Sequence, residues 1–471
     1  MSAQRKNLLF LMTDHQRYDT IDMIQSGREV TPNLNKLARS GIVCERAYTT
    51  CPLCVPARTA LASGVYPTTS GVVYNDWEDR TAKPMATIHD ILKENGYRVG
   101  HIGVDHIKVL PPLKDRGYDC FYSDREYERE AKDKGLILKD REDITYVQEK
   151  CDDIMGTQGY SGVRVSEWAY PTEEFKDICF LKQAVQFLEQ VEGERPFALF
   201  VYLWAPHPPL KVPKPYSEMY NPDELVLPDH LGVPAWEEPQ SRRLGPAAQL
   251  AEGVPEEHWK RVWAAYLGLT SLADDVIGKL MEKIEEMGVK EETAVIFTAD
   301  HGDNLGQHRM YQKMEMYEEC IHIPLILHLP GQGSGTIKEL VSHLDIVPTV
   351  CQIAGVPCSG LEGISLYEFL QPGRSTDRHA VFSQYSGTYG YGFIRRAVIT
   401  ETEKYVFDEY GQEEYYRLDE DPCERKNLAG DPIYRKERKR LHEICKAYHQ
   451  AHGDYFQWEK AEERRAGNGV V

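Results

Sequence analysis

Short apolar runs alternate along the chain with longer stretches in which apolar residues recur every three or four positions. The runs suit strands buried on both faces, and the longer stretches suit helices that lie against such a sheet. Strands are predicted at residues 7–13, 99–104, 197–204, 294–298 and 324–329. A helix over 31–40 opens with Thr31-Pro32, a cap followed by a first-turn proline, and one over 88–95 stops before Gly96. Longer helices are predicted over 175–191 and 259–287. The expected fold is α/β, a large, mostly parallel sheet flanked by helices, with reactive groups at the carboxyl ends of its strands.

Two stretches break this rhythm. Residues 111–171 are charged and weakly periodic, and residues 208–255 are rich in Pro, Glu and Leu, as in segments that cover a site or run over a surface. After Gly373 the pattern changes to Tyr- and Thr-rich alternation at 393–400 and 404–409, followed by a charged helix at 433–450. This predicts a main domain over 1–373 and a smaller C-terminal antiparallel-sheet plus helix subdomain over 374–471. No internal repeat interrupts the pattern.

Composition narrows the function classes. The 471 residues are 41% hydrophobic, enough for a large core, and carry a formal charge of -19. Phosphate-tracking surfaces need clustered Lys and Arg, so no nucleic acid and no membrane are expected as partners, and an anionic substrate must be caught by a local cationic site. The opening apolar run at 8–12 is too short for a signal segment or a membrane span, which predicts a cytoplasmic protein. Eleven cysteines at irregular spacing, with Cys51 and Cys54 as the one close pair, fit a reducing compartment.

Chemistry concentrates in four places. In the run Cys54-Val55-Pro56-Ala57-Arg58, Pro56 suits a first helical turn. Cys54 then sits at a helix N-terminus, where free N–H groups favour an anion, and Arg58 adds a cation that can fork onto an oxyanion. Three residues separate Cys54 from Arg58, whereas a thiol-phosphatase loop needs five. Asp14 and His15 follow the first predicted strand, and a carboxylate ending a buried strand must be paired or bound to metal. Asp300 and His301 follow another strand and are expected to face Asp14 across the carboxyl edge of the sheet, with Lys313 thirteen residues after Asp300. His106 and His207 each come just after a predicted strand, His207 in a rigid Pro-His-Pro setting beside Trp204. Taken singly, each of these residues is more often structural than catalytic; together they point to one site.

The Cys54–Gly64 run resembles the sulfatase signature Cys-x-Pro-x-Arg followed by Leu and a closing Gly, and the resemblance extends over nearly the whole chain. Within the alkaline-phosphatase superfamily, it implies a sulfuric ester hydrolase in which Cys54 is oxidised to 3-oxoalanine (formylglycine). Asp14, His15, Cys54, Asp300 and His301 would surround one divalent cation, Ca²⁺ in the family pattern. Imidazole ligation by His15 and His301 would draw the site toward Mn²⁺, and Mg²⁺ is a further alternative. Catalysis would fall to Cys54, Arg58, His106, His207 and Lys313, with His207 assisting the leaving oxygen and His106 the nucleophile.

This sequence departs from the family pattern at two points. His15 stands where the family keeps a second carboxylate, and Val104 stands where it keeps a Lys, with Lys108 the nearest replacement. The implied substrate is a small-molecule or carbohydrate sulfate ester. The implied maturation partner is a formylglycine-generating or anaerobic sulfatase-maturating enzyme, with oligomeric state left open. Two alternatives stay beside this reading: a phosphonate monoester or phosphodiester hydrolase using the same groups, and a non-catalytic anion-binding relative.

Overall fold

The computed structural model describes residues 6–151, 154–191, 195–370, 377–387 and 393–468. The first half runs through β1 (Asn7–Thr13), α1 (Pro32–Ser40), β2 (Ile42–Tyr48), α2 (Cys54–Ser63), α3 (Ile88–Glu94), β3 (Arg98–Gly103) and β4 (Cys120–Ser123). It continues with α4 (Asp124–Asp133), the hairpin β5 (Ile144–Cys151) and β6 (Ile154–Ser161), α5 (Lys176–Glu189) and β7 (Phe197–Tyr202). The second half contains α6 (Glu256–Glu286), β8 (Thr293–Ala299), β9 (His322–Ile323), β10 (Leu325–His328), β11 (Gly335–Ser342) and α7 (Ile346–Ala354). The chain ends with β12 (Val381–Tyr385), β13 (Arg395–Ile399), β14 (Glu403–Asp408), β15 (Glu413–Arg417), α8 (Arg435–Ala451) and α9 (Trp458–Asn468).

Nine strands form the central sheet, in the order β9-β2-β10-β8-β1-β7-β3-β4 with β11 also paired to β2. The half from β8 to β4 is parallel. Its middle strands are the unbroken apolar runs: Leu8 to Met12 and Phe197 to Tyr202 are all at most 1% exposed, because helices cover both faces. On the other side, β10 runs antiparallel to both β8 and β2 and β9 antiparallel to β2, while β11 runs parallel to β2, so the sheet is mostly parallel as expected.

All five predicted strands form. The strands β2, β4 and β11 were not predicted, because each alternates buried with partly exposed positions or is very short, and a rim strand with one wet face lacks a continuous apolar run.

A second, four-stranded antiparallel sheet, β12-β13-β14-β15, carries α8 and α9. Buried ion pairs join it to the segment between β8 and β9: Arg395 with Glu315, and Lys404 with Glu318 at 2.9 Å. The expected boundary at 373 lies outside the described residues. Among the described residues no helix is long and apolar enough to cross a membrane.

Candidate active site

The parallel neighbours β1 and β8 place Thr13 opposite Ala299, so their carboxyl ends release Asp14 and Asp300 side by side. His15 follows in the left-handed region at φ 67°, unusual for a side-chain-bearing residue and a sign that its surroundings hold it there. Its N–H points to Asp300 Oδ1 at 3.3 Å. The next turn after β8 is close-packed: a Cβ on Gly302 would lie 1.9 Å from the carbonyl oxygen of Glu319, so only glycine fits.

Helix α2 brings the third element. Every one of its ten residues is buried, Cys54 is its first residue and Gly64 ends it at φ 72°. Asn75 accepts a hydrogen bond from the Val55 N–H at 3.1 Å, tying down one of the helix's free amides. One turn on, Arg58 projects from the face that carries Cys54. Its Nε donates to Asp300 Oδ2 and its Nη2 to Asp14 Oδ2, both at 2.8 Å, so one guanidinium locks the two strand-end carboxylates to the helix. Lys313 completes the group, its Nζ 2.5 Å from Cys54 Sγ. The Met314 N–H, donating to the Pro52 carbonyl, ties the lysine's loop to the start of α2.

Electrostatically these groups are in competition. Burial, with Asp300 beside it, pushes Asp14 up to about 7. Burial also acts on Asp300, but Arg58, His301 and Lys313 together outweigh it and hold that carboxyl well below its usual range. Lys313 is raised despite burial, because Cys54, Asp14 and Asp300 favour its charge. The imidazoles of His15 and His301 are both lowered, chiefly by burial, His301 to about 3. Both are therefore neutral, with a lone pair to offer.

These residues suit a divalent cation. Single donor atoms of Asp14, His15, Cys54 and His301 all lie within 4.8 Å of one another. His15 Nδ1–H donates to Asp303 Oδ2 at 2.7 Å, and His301 Nδ1–H to the Gly302 carbonyl at 3.0 Å, which turns both Nε2 atoms inward. His15 Nε2 is buried without a hydrogen-bond partner among the described residues, an orphan that a cation would satisfy. Asp300 adjoins this set but gives its Oδ2 to Arg58.

Above lies a cavity of about 640 Å³ whose lining includes Cys54, Lys313, His106 and His207. His207 Nδ1 bonds the Pro208 carbonyl, and its ring lies 4.4 Å from that of His15 and 4.1 Å from Trp204. His106 Nε2 is 3.9 Å from Asp124 Oδ2, and burial lowers this imidazole to about 3.

All nine expected site residues thus converge on one place. The expected substitute for the missing lysine does not: Lys108 Nζ pairs with Asp79 at 2.6 Å and is absent from the cavity lining. Cations from elsewhere, Arg80 and Lys139, line the cavity instead. Sequence reasoning also missed Asn75, Asp124, Gln312 and the His15 partner Asp303. Of these, only Asp303 carried a signal, since it stands two residues after His301 in the same strand-end loop.

The sulfatase family model matches residues 6–356, and a model for the C-terminal part of N-sulphoglucosamine sulphohydrolase matches 306–451. An arylsulfatase of Clostridium perfringens is 26% identical over 464 residues, covering 93% of this chain and 93% of its own. Among solved structures, a phosphonate monoester hydrolase from Silicibacter pomeroyi superposes with a TM-score of 0.75 at 22% identity, covering 96% of each chain. A 2-O GAG sulfatase superposes with a TM-score of 0.74 at 23% identity, covering 96% of this chain and 93% of its own. With a fold shared with these solved structures and a family match over most of its length, this chain belongs to the sulfatases, the hydrolases of sulfuric esters.

Proposed function

We propose that this cavity cleaves a sulfate monoester, with residue 54 acting as formylglycine after oxidation of Cys54 by a maturation enzyme. One divalent cation would be held by Asp14, His15, His301 and residue 54, with Asp300 beside them. The observation that carries the reading is Arg58, anchored between Asp14 and Asp300 one helical turn below Cys54, with Lys313 on the other side. A sulfate ester resists attack because its oxygens are negative, and cations fixed in a buried site offset that charge without reorganising. Here Cys54 Sγ marks where the oxygens of the modified residue would stand.

A formylglycine hydrate supplies two hydroxyls on one carbon, one to attack sulfur and one whose deprotonation lets the aldehyde re-form as sulfate leaves. Arg58 and Lys313 hold the charge on the sulfuryl oxygens. His106 takes the second hydroxyl's proton, and Asp124 behind it stabilises the imidazolium. His207, held by its Nδ1 on the Pro208 carbonyl, presents Nε2 for the departing oxygen. The negative charge of bound substrate favours its protonated form against the lowering by burial.

Two inward-facing imidazoles in the donor set favour an ion of the Mn²⁺ type over the Ca²⁺ of the family pattern. The leaving group fits a sugar or aryl ring on Trp204, a cavity-lining aromatic. Phosphonate monoesters are the second reading, favoured by the uncharged Val104 and the phosphonate hydrolase among the similar structures.

The test is kcat/KM on an aryl sulfate, a sulfated monosaccharide and a phenyl phosphonate ester, with the metal-free protein reloaded with Ca²⁺ or Mn²⁺. Preference for a sulfate supports the proposal, and preference for the phosphonate transfers the site to the second reading. No turnover of any substrate by protein whose Cys54 is oxidised would reduce it to an anion binder.

A further inference from the structure

A second group of ligand-type side chains lies buried behind the loop that presents Lys313. His230 Nε2 is 3.7 Å from Glu319 Oε1, and His308 Nε2 is 3.4 Å from Glu319 Oε2. Single donor atoms of the three residues all lie within 4.8 Å of one another. None of the three lines the cavity above Cys54, and their exposures are 8%, 1% and 4% for His230, His308 and Glu319.

Ligand atoms on a tetrahedral ion with bonds of about 2.0–2.1 Å stand roughly 3.4 Å apart, close to the 3.4 and 3.7 Å that separate the Glu319 oxygens from the two imidazoles. An ordinary hydrogen-bonded triad would bring the same atoms to about 2.9 Å. Here His308 Nδ1, His308 Nε2 and Glu319 Oε2 are buried with no hydrogen-bond partner among the described residues, a costly arrangement for a site that holds nothing. The Gln307 amide nitrogen lies 2.6 Å from His230 Nε2 and 2.7 Å from Glu319 Oε1, while its oxygen is partnerless. Amide orientation is an assignment, and a half-turn with an outward shift of about 0.7 Å brings the oxygen to ligand spacing as a fourth ligand.

The backbone supplies a separate reason for a fastening at this point. Five side-chain-bearing residues between β8 and β9 adopt left-handed φ values: Leu305 at 45°, His308 at 53°, Arg309 at 52°, Gln312 at 63° and Met314 at 79°. Such a loop persists only where its surroundings over-determine it. His308 and Gln307 belong to this loop, Glu319 to the short helix Glu318–Ile321, and His230 to a distant segment whose Gly232 N–H donates to the Gly306 carbonyl at 2.8 Å.

We propose that His230, His308 and Glu319 form a second divalent-cation site, for a transition ion of the Zn²⁺ type, which clamps the loop carrying Lys313. Two imidazoles, one carboxylate and an amide oxygen make a mixed nitrogen and oxygen set that suits zinc better than calcium. The site fixes structure, since no ligand of it opens into the cavity, and it stands independently of the reaction proposed above.

The test empties the first site with the double variant Asp14→Asn, His301→Ala and counts zinc by mass spectrometry after dialysis against Zn²⁺. One equivalent per chain is expected in this protein. Adding His308→Ala or Glu319→Gln should remove it. No zinc in the double variant overturns the proposal, as does an unchanged equivalent after either further substitution. Co²⁺ titration of the double variant reads the intact second cluster directly: visible d–d absorption saturating at one equivalent supports the site, and a flat titration overturns it.

Discussion

Two arginines buried to the same degree use their donors in different ways. Arg396, in the C-terminal sheet, gives Nε and Nη2 to the two oxygens of Asp454 at 3.0 and 2.6 Å. Its Nη1 donates to the carbonyls of Tyr385 and Arg395 at 3.1 and 2.8 Å. Every donor atom is matched and the pair is closed. Arg58 instead divides itself between carboxylates from two strand ends, and its Nη1 has no hydrogen-bond partner among the described residues. A closed pair fixes a sheet, whereas an open cluster of two carboxylates, two cations and two neutral imidazoles has capacity left for an ion and an anionic substrate. Which buried charges are functional is thus shown by what they leave unsatisfied.

The largest expected effect separates the two arginines by activity. Arg58→Lys keeps the charge but loses the fork, and kcat on an aryl sulfate should fall about 10²–10³-fold, as when a fixed donor to a developing oxyanion is removed. A loss under tenfold with normal folding would remove Arg58 from the chemistry. Arg396→Leu should do the reverse. Leaving Asp454 uncompensated should lower stability by about 3–5 kcal/mol, read as a shifted urea midpoint, with kcat per folded molecule unchanged.

A third buried charge sharpens the contrast through pH. Asp177 Oδ1 accepts from the N–H groups of Trp204 and Ala205 at 2.7 and 3.2 Å, while Oδ2 has no hydrogen-bond partner among the described residues. Burial pushes this carboxyl up from 3.8 to about 6. A raised acid favours the fold in its neutral form. Its contribution is therefore full below about pH 4 and is lost as pH rises through 6. Asp177→Asn, which keeps the acceptor, should remove this dependence and gain about 3 kcal/mol over the wild type at pH 8. Equal pH profiles for the two proteins would place the charge in a better-solvated site. The smallest effect belongs to Lys108→Met: because its partner Asp79 is half exposed, stability should change by about 0–1 kcal/mol and kcat/KM less than threefold. A tenfold loss would return Lys108 to the cavity.

What was legible in the sequence follows from how local each feature is. Cys54 and Arg58 share a helix face by spacing alone, and Asp14, Asp300 and His301 each follow an apolar run that had to be a central strand, so their meeting at one sheet edge was implied. His207 and His106 were found the same way. Asn75, Arg80, Asp124 and Lys139 come from loops and from a helix start after a four-residue rim strand, and only the folded chain brings them to the cavity. Lys108 was misread because nearness in sequence to Val104 says nothing about side-chain direction, and Asp79 captures it. His230 lies 78 residues before His308 (308 − 230), in a Pro-rich stretch with no periodicity to place it.

The most direct test of the central claim is one assay. Protein co-expressed with a formylglycine-generating enzyme is digested to give the aldehyde fraction at residue 54, and aryl sulfate hydrolysis is measured on the same preparations and on Cys54→Ala. The account predicts a rate proportional to the aldehyde fraction and abolished in the variant. A rate independent of that fraction, or retained in Cys54→Ala, would contradict it.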